Sequence, residues 1–327
     1  MKAIVHDRYG SPDVLRLEEL DRPVPADNEV LVRVHAASVN ARDWHAVRGD
    51  PYVARLLAPD GGLRGPRVRV RGTDFAGRVE AAGRSVTRLR PGDDVFGECS
   101  GAFAEYVSVP DHLVEPKPAT LTFEQAAALP LAANTALMGL RDVARVQPGQ
   151  HVLINGASGG VGPFAVQIGK WLGADVTAVC STRNVDMVGM LGADHVVDYT
   201  RHDFTRCGRR YDAVFDLVGN RSVSDLRRVL EPSGTLVLSG GGVFSGGSLI
   251  GPVGLIVKAQ VVARLVRQRL IVLTAVPSRE NLATLRELAE SGAITPVIDR
   301  TYPLREAAEA IRYLEQEHAR AKVVLTV

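Results

Sequence analysis

The stretch that most narrows what this chain can fold into is HVLINGASGGVG, residues 151–162. HVLIN reads as a buried strand, and GPFAVQIGKWLG (162–173) reads as a helix, so the small residues between them form a strand-to-helix turn. Spaced as A-x-G-x-x-G, the turn comprises Ala157, Ser158, Gly159, Gly160, Val161 and Gly162, with Gly156 just before it. Small residues here permit a tight reversal and close approach of backbone to a pyrophosphate, and the free N–H groups of the helix start meet the anion. One glycine run alone is weak evidence, and its surroundings strengthen it. DVTAVC (175–180), HVVDY (195–199), YDAVFDLVG (211–219), TLVLSG (235–240) and RLIVLTA (269–275) read as further strands. VDMVGMLG (185–192) and VSDLRRVLE (223–231) read as helices between them. Strands alternating with helices over this length predict an α/β fold with a doubly wound parallel sheet that holds a dinucleotide.

The end of the second strand bears on which dinucleotide. An Asp or Glu about 20 residues past the glycines would hold a ribose 2′-hydroxyl. This chain has Cys180, Ser181, Thr182 and Arg183 there instead. Two hydroxyls and a guanidinium suit a 2′-phosphate, so NADPH is the expected cofactor. Tyr199, ending the third strand, is placed to pack beside the adenine or reach that phosphate, and Asp186 remains an alternative partner for a ribose.

Before residue 120 the texture differs. EVLVRVHAASV (29–39), DFAGRVEAAG (74–83), GDDVFGE (92–98) and AFAEYVSV (102–109) are short segments with strand periodicity and turn residues between them, which suggests a partly open β-barrel. The last segment, ITPVIDRTYPL…KVVLTV, returns to that texture and is expected to rejoin the first domain. The expected division is residues 1–124 and 276–327 for the β-rich domain and 125–275 for the dinucleotide-binding domain. A net charge of +2 makes no case for nucleic acid. Three scattered cysteines, Cys99, Cys180 and Cys207, form neither a disulfide framework nor a metal motif. With no secretory signal read at the N-terminus and no apolar run long enough to span a bilayer, a cytoplasmic protein without stable membrane insertion is expected.

Together these segments resemble the medium-chain dehydrogenase/reductase superfamily, and most nearly its zinc-free quinone oxidoreductase-like branch. The resemblance is carried by VHAASVNARDW (34–44), GTDFAGRVEAAG (72–83), PGDDVFGE (91–98), AFAEYVSVP (102–110), LPLAANTAL (129–137), the glycine turn, and YPLREAAEAI…KVVLTV (302–327). It implies a GroES-like catalytic domain, a Rossmann domain, a cleft between them and a homodimer. It also implies where a metal would sit. Zinc alcohol dehydrogenases have a cysteine where this chain has Asn40 and a His-Glu pair where it has Thr73-Asp74. Neither an amide nor a hydroxyl replaces thiolate or imidazole as a zinc ligand, so no metal is expected.

Reducing a simple ketone leaves an alkoxide that zinc would stabilise, whereas a quinone or enone leaves a delocalised anion that hydrogen bonds can hold. The expected reaction is therefore zinc-independent hydride transfer from NADPH to a quinone or to the activated C=C of an α,β-unsaturated carbonyl. Alternatives are a carbonyl/alcohol oxidoreductase and a non-catalytic NADPH-binding scaffold. The resemblance places His45 as either a proton donor or a hydrogen-bond partner of the cofactor ribose, and Asn40 as an orienting group for carboxamide, ribose or substrate carbonyl. Tyr52 is a further candidate donor, and Asp43 reads as structural. Thr135 is expected near the nicotinamide, with Val218, Asn220, Ser239 and Gly240 flanking the ribose and nicotinamide.

Three other features are weighed as surface. Arg64, Arg67, Arg69 and Arg71 read as one solvated strand face, and Cys207 as an incidental surface thiol. VGLIVKAQVVARLVRQRL (253–270), preceded by the loop SGGGVFSGG, reads as one basic amphipathic helix that covers the substrate cleft or a subunit interface, with contact to a membrane surface as the alternative.

Overall fold

A long central strand organises the first unit of the computed structural model, which describes residues 1–57, 60–240, 247–248, 253–316 and 319–327. Strands β1 (Lys2–Val5) and β2 (Arg16–Glu19) pair as a two-stranded sheet, bridged through Ala3 and Val5 to Ala104 and Val70. The main sheet is built from β3 (Glu29–Val39), β4 (Asp74–Ala82), β5 (Asp94–Glu98), β6 (Tyr106–Pro110), β7 (Val114–Pro116), β14 (Ile298–Pro303) and β15 (Lys322–Thr326). Its order is β14-β15-β3-β4-β5-β7, with β6 also paired to β3. The segment read as alternating, residues 29–39, is buried at almost every position, because β3 has partners in β15, β4 and β6. Phe75, Phe96 and Phe103 fill the core of this unit with no exposure. Its helices are α1 (Ala41–Arg48), α2 (Ala54–Leu57), α3 (Phe123–Ala127), α9 (Arg279–Glu290), α10 (Ala307–Gln316) and the start of α4 (Pro130–Leu137).

Register across this sheet gathers residues that are distant in the chain. Val323 pairs with Val39, Ser38 pairs with Asp74, and Asp74 pairs with Glu98. Four strand ends therefore bring Lys322, Asn40, Asp74 and Glu98 to one edge of the unit.

The second unit holds the parallel sheet: β8 (His151–Asn155), β9 (Asp175–Cys180), β10 (His195–Asp198), β11 (Tyr211–Asp216), β12 (Leu230–Leu238) and β13 (Arg269–Val272), in the order β10-β9-β8-β11-β12-β13. Every pair is parallel, and the order reverses between β8 and β11, which is where a doubly wound sheet opens for a ligand. Helices α5 (Gly162–Trp171), α6 (Val185–Met190), α7 (Val223–Arg228) and α8 (Val253–Ala263) belong to it. The first unit comprises residues 1–134, the described pair Gly247 and Ser248, and 276–327; the second runs from Thr135 to Ala275 around that pair. The first boundary thus lies inside α4, later than the 124/125 division expected from texture.

Residues 253–270 are not one helix: α8 ends at Ala263, and Arg269–Val272 pair with Thr235–Leu238, which draws Leu270 into the sheet. The arginine run is not a strand face either. Val70 makes an isolated bridge to Val5, and Arg71 is 4% exposed with its guanidinium turned to Val68 and Asp60. Much of the loop SGGGVFSGG lies outside the described residues. Among those described, no helix is long and apolar enough to cross a membrane.

Candidate active site

In the second unit the turn after β8 is forced on its glycines. Gly156 has φ +90°, and a Cβ there would lie 2.6 Å from Val218 Cγ2. A Cβ on Gly162 would lie 2.3 Å from the Ala157 carbonyl carbon and the Gly156 oxygen. Ala157 is fully buried, and α5 begins at Gly162 with Pro163 in its first turn, where the N–H groups have no intrahelical acceptor. Such a helix start fits the pyrophosphate of a dinucleotide.

Asn184, which no sequence signal singles out, ties this turn to the end of β9. Its Nδ2 donates to Ser158 Oγ at 2.9 Å and Ser181 Oγ at 3.2 Å, while its buried Oδ1 has no partner. Thr182 and Arg183 are exposed beside it. Thr182 Oγ1 donates to Asp198 Oδ2 at 2.6 Å, so that hydroxyl is committed to the end of β10. The Asp198 carboxyl is held below its usual range by Thr182 first, and also by Thr200 and the Arg201 guanidinium. Tyr199, the next residue in the chain, is 47% exposed. Arg183, the guanidinium of this stretch, is exposed at the same rim.

The ends of β11 and β12 close the other side of the turn. Asn155 Nδ2 donates to Asp216 Oδ1 at 2.8 Å and Asn220 Oδ1 at 3.0 Å, and the Val218 and Gly219 N–H groups both donate to Asp216 at 3.2 Å. Ser239 N–H donates to the Asp216 carbonyl at 2.9 Å, and a Cβ on Gly240 would meet the Val218 backbone at 2.7 Å. Asp216 is fully buried, and burial pushes its carboxyl upward. Asn155 and Asp216 are thus the hub for Val218, Asn220, Ser239 and Gly240. Thr135 lies on α4, 6% exposed.

In the first unit, α1 carries the other candidates. His45 Nδ1 lies 2.7 Å from the Asp50 carbonyl oxygen, which can accept but not donate. The ring hydrogen therefore sits on Nδ1, leaving an Nε2 lone pair. Burial holds the imidazole below its ordinary pKa, so it is neutral near pH 7. Of the two roles expected of His45, hydrogen-bond acceptor fits this state and proton donor does not. Tyr52 is 45% exposed, with the Arg55 guanidinium 4.5 Å above its ring, and its N–H donates to the Ser248 carbonyl at 2.9 Å.

Asn40 is not free to orient a substrate. Its Nδ2 donates to Asp74 Oδ2 at 3.0 Å and Thr73 Oγ1 at 3.1 Å, and its Oδ1 accepts from Lys322 Nζ at 2.5 Å. Its backbone N–H donates to Asp43 Oδ2 at 2.7 Å, starting α1. Asp74 in turn accepts from Ser38 Oγ at 3.0 Å and from Leu131 N–H, at the start of α4, at 3.2 Å. Lys322 is 1% exposed, Asp74 0% and Glu98 3%. Burial, aided by Asp74, raises Glu98 to about 8, and burial raises Asp43 to about 7. The zinc ligands of the metal dehydrogenases fall at these positions by resemblance. Here the donor set is an amide, a hydroxyl and a carboxylate with an ammonium 3.8 Å from it, which does not fit zinc.

A parallel sheet with a glycine turn at its point of reversal, and a β-rich unit presenting a histidine and a buried polar cluster, define a two-domain dinucleotide-dependent oxidoreductase. Comparison with known proteins gives the family: residues 26–119 match the alcohol dehydrogenase GroES-like domain and residues 191–325 the zinc-binding dehydrogenase model. The NADPH-dependent alkenal/one oxidoreductase of Arabidopsis thaliana chloroplasts is 32% identical, over 99% of this chain and 79% of the relative. The quinone oxidoreductase of Coxiella burnetii superposes with a TM-score of 0.85 at 32% identity, covering 100% of this chain and 99% of that one. The Escherichia coli quinone oxidoreductase complexed with NADPH gives a TM-score of 0.84 at 26% identity, covering both chains fully, 100% of each. The chain belongs to the medium-chain dehydrogenase/reductase superfamily, in its quinone oxidoreductase-like branch.

Proposed function

We propose that this protein is an NADPH-dependent reductase of quinones or of the activated double bond of α,β-unsaturated carbonyl compounds, working without zinc. The observation that supports it most is the ammonium of Lys322 standing with Asn40 and Asp74 where metal ligands would be. A site without a Lewis acid suits a product anion that is already delocalised. The relatives named for alkenals, enones and quinones support the same substrate class.

NADPH supplies the hydride when bound. Ala157–Gly162 offer N–H groups and room to its pyrophosphate, Arg183 offers a guanidinium to its 2′-phosphate, and Asn155 and Asp216 hold the loops after β11 and β12 against it. His45, neutral with Nε2 open, accepts from a cofactor ribose hydroxyl. The proton that completes reduction comes from solvent or from the exposed Tyr52 hydroxyl, since His45 has none to give near pH 7. The protein is read as a cytoplasmic homodimer, pairing through the open edge of β13.

Anaerobic NADPH oxidation against quinones, enones and plain ketones, with NADH in parallel and chelator-treated protein, tests the proposal. Chelator-insensitive turnover of quinones or enones with NADPH is expected. Turnover of plain ketones alone, or loss of activity on chelation, would favour the carbonyl/alcohol reading that the zinc-binding family description suggests. Tight NADPH binding with no turnover on any acceptor would favour the scaffold.

A further inference from the structure

We propose that Lys322 is a positioning residue for the reduction: its ammonium clamps Asn40 and Asp74 and so fixes the two helix starts that lead to His45 and Thr135. This rests on the function proposed above. A lysine buried to 1% exposure is costly unless paired, and an apolar side chain would fill the same space without that cost. The pairing here is not a simple ion pair. The shortest contact of Nζ is to Asn40 Oδ1 at 2.5 Å, with the Asp74 carboxylate at 3.8 Å and the Val39 carbonyl at 3.5 Å.

That arrangement decides which way the Asn40 amide points. An ammonium has donors and no acceptor, so the amide oxygen must face it and the Nδ2 must face Asp74 and Thr73. Each partner of the lysine then begins a helix. The Asn40 backbone N–H donates to the Asp43 carboxylate, and α1 runs on to His45. Asp74 receives the Leu131 N–H, and α4 runs on to Thr135. Three chain segments far apart in sequence, β15, the β3–α1 junction and the start of β4, meet at one cation. Register alone, with Val323 on Val39 and Ser38 on Asp74, brings them there.

The test uses the full chain with Lys322→Ala and, as a safeguard against misfolding of that variant, Lys322→Met, which keeps the length of the buried stem while removing the ammonium. Three readouts are taken: turnover, NADPH affinity by fluorescence, and the ¹⁵N resonances of the His45 ring with ethylammonium or sodium chloride added. The expected result is a fall in kcat of roughly 10–100-fold that exceeds the accompanying loss of NADPH affinity, because a misplaced group costs rate before binding. Ethylammonium, and not sodium, should saturably restore both kcat and the His45 resonances of Lys322→Ala. A folded variant with unchanged kcat and unchanged His45 resonances would overturn the proposal, and so would a loss that ethylammonium does not reverse. Should the wild-type protein reduce none of the acceptors, the proposed function fails, and the His45 resonances still decide the role of Lys322.

Discussion

Glu98 faces Asp74 across paired strands at 3% exposure, with the Arg42 guanidinium 3.8 Å away. Its carboxyl is raised from 4.5 to about 8, mainly by burial. A raised folded-state pKa means that the folded protein keeps a proton the unfolded chain has lost. The contribution of Glu98 is therefore complete below about pH 4.5 and is lost as pH climbs through about 8. Against Glu98→Gln, the wild-type protein should lose up to about 1.4 kcal/mol per pH unit between pH 6 and 8 in urea unfolding. A parallel pH dependence in the two proteins would show that Glu98 does not titrate there. Arg183 gives a second residue-scale prediction: Arg183→Gln should raise the NADPH dissociation constant roughly 10–100-fold and leave NADH within about twofold. Equal effects on both coenzymes would remove the 2′-phosphate from its role. The sequence pointed to Arg183 through a spacing rule that ties one strand end to one ligand group. Lys322, Asn184 and Asp216 answer to no such rule, because the bonds that join Asn184 to Ser158, Asp216 to Asn155 and Lys322 to Asn40 span 26, 61 and 282 residues of chain.

Helix α1 is held at both ends. Asp43 and Asn40 start it, and at its far end Arg48 donates from Nε and Nη2 to the two oxygens of Glu315 on α10, at 2.9 Å each. The Glu315 side chain is 2% exposed, so Arg48→Met would strand a buried charge and should cost about 3 kcal/mol. The double variant Arg48→Met with Glu315→Leu should recover most of that loss. A double variant as unstable as the single one would mean that packing, not charge, sets the cost. Elements of this kind were legible where one period dominates. The spans of β3, β4, α5 and β9 follow from apolar spacing and punctuation. Residues 253–270 misled because the apolar spacing of α8 continues into Leu270–Val272, whose pairing with Leu236–Leu238 decides their state. The same holds for Arg71, whose place in an alternating run says nothing of the Val68 carbonyl and Asp60 carboxylate that receive it.

At the scale of the whole molecule, the homodimer proposed through β13 predicts twice the 35.1 kDa chain mass in light scattering at micromolar concentration. Val272→Pro should reduce the mass to that of one chain, because Leu273 N–H donates to Leu238 on β12 and the Val272 N–H, one residue earlier, points to the outer edge. A wild-type protein that scatters as a single chain would end the dimer reading. The first unit is divided in the chain: its sheet opens with residues before 134 and closes with β15. This has a consequence for the order in which the protein is made. The strands of the second unit have all left the ribosome before Lys322 is added, so the parallel sheet can form while the first sheet still lacks its inner strand β15. Until then Asp74 and Asn40 wait without their cation, and Ala36–Val39 of β3 lack the partner that β15 supplies. The buried cluster is thus acquired after the parallel sheet, and a chain released short of β15 would have the nucleotide turn in place and the reductive half unfinished.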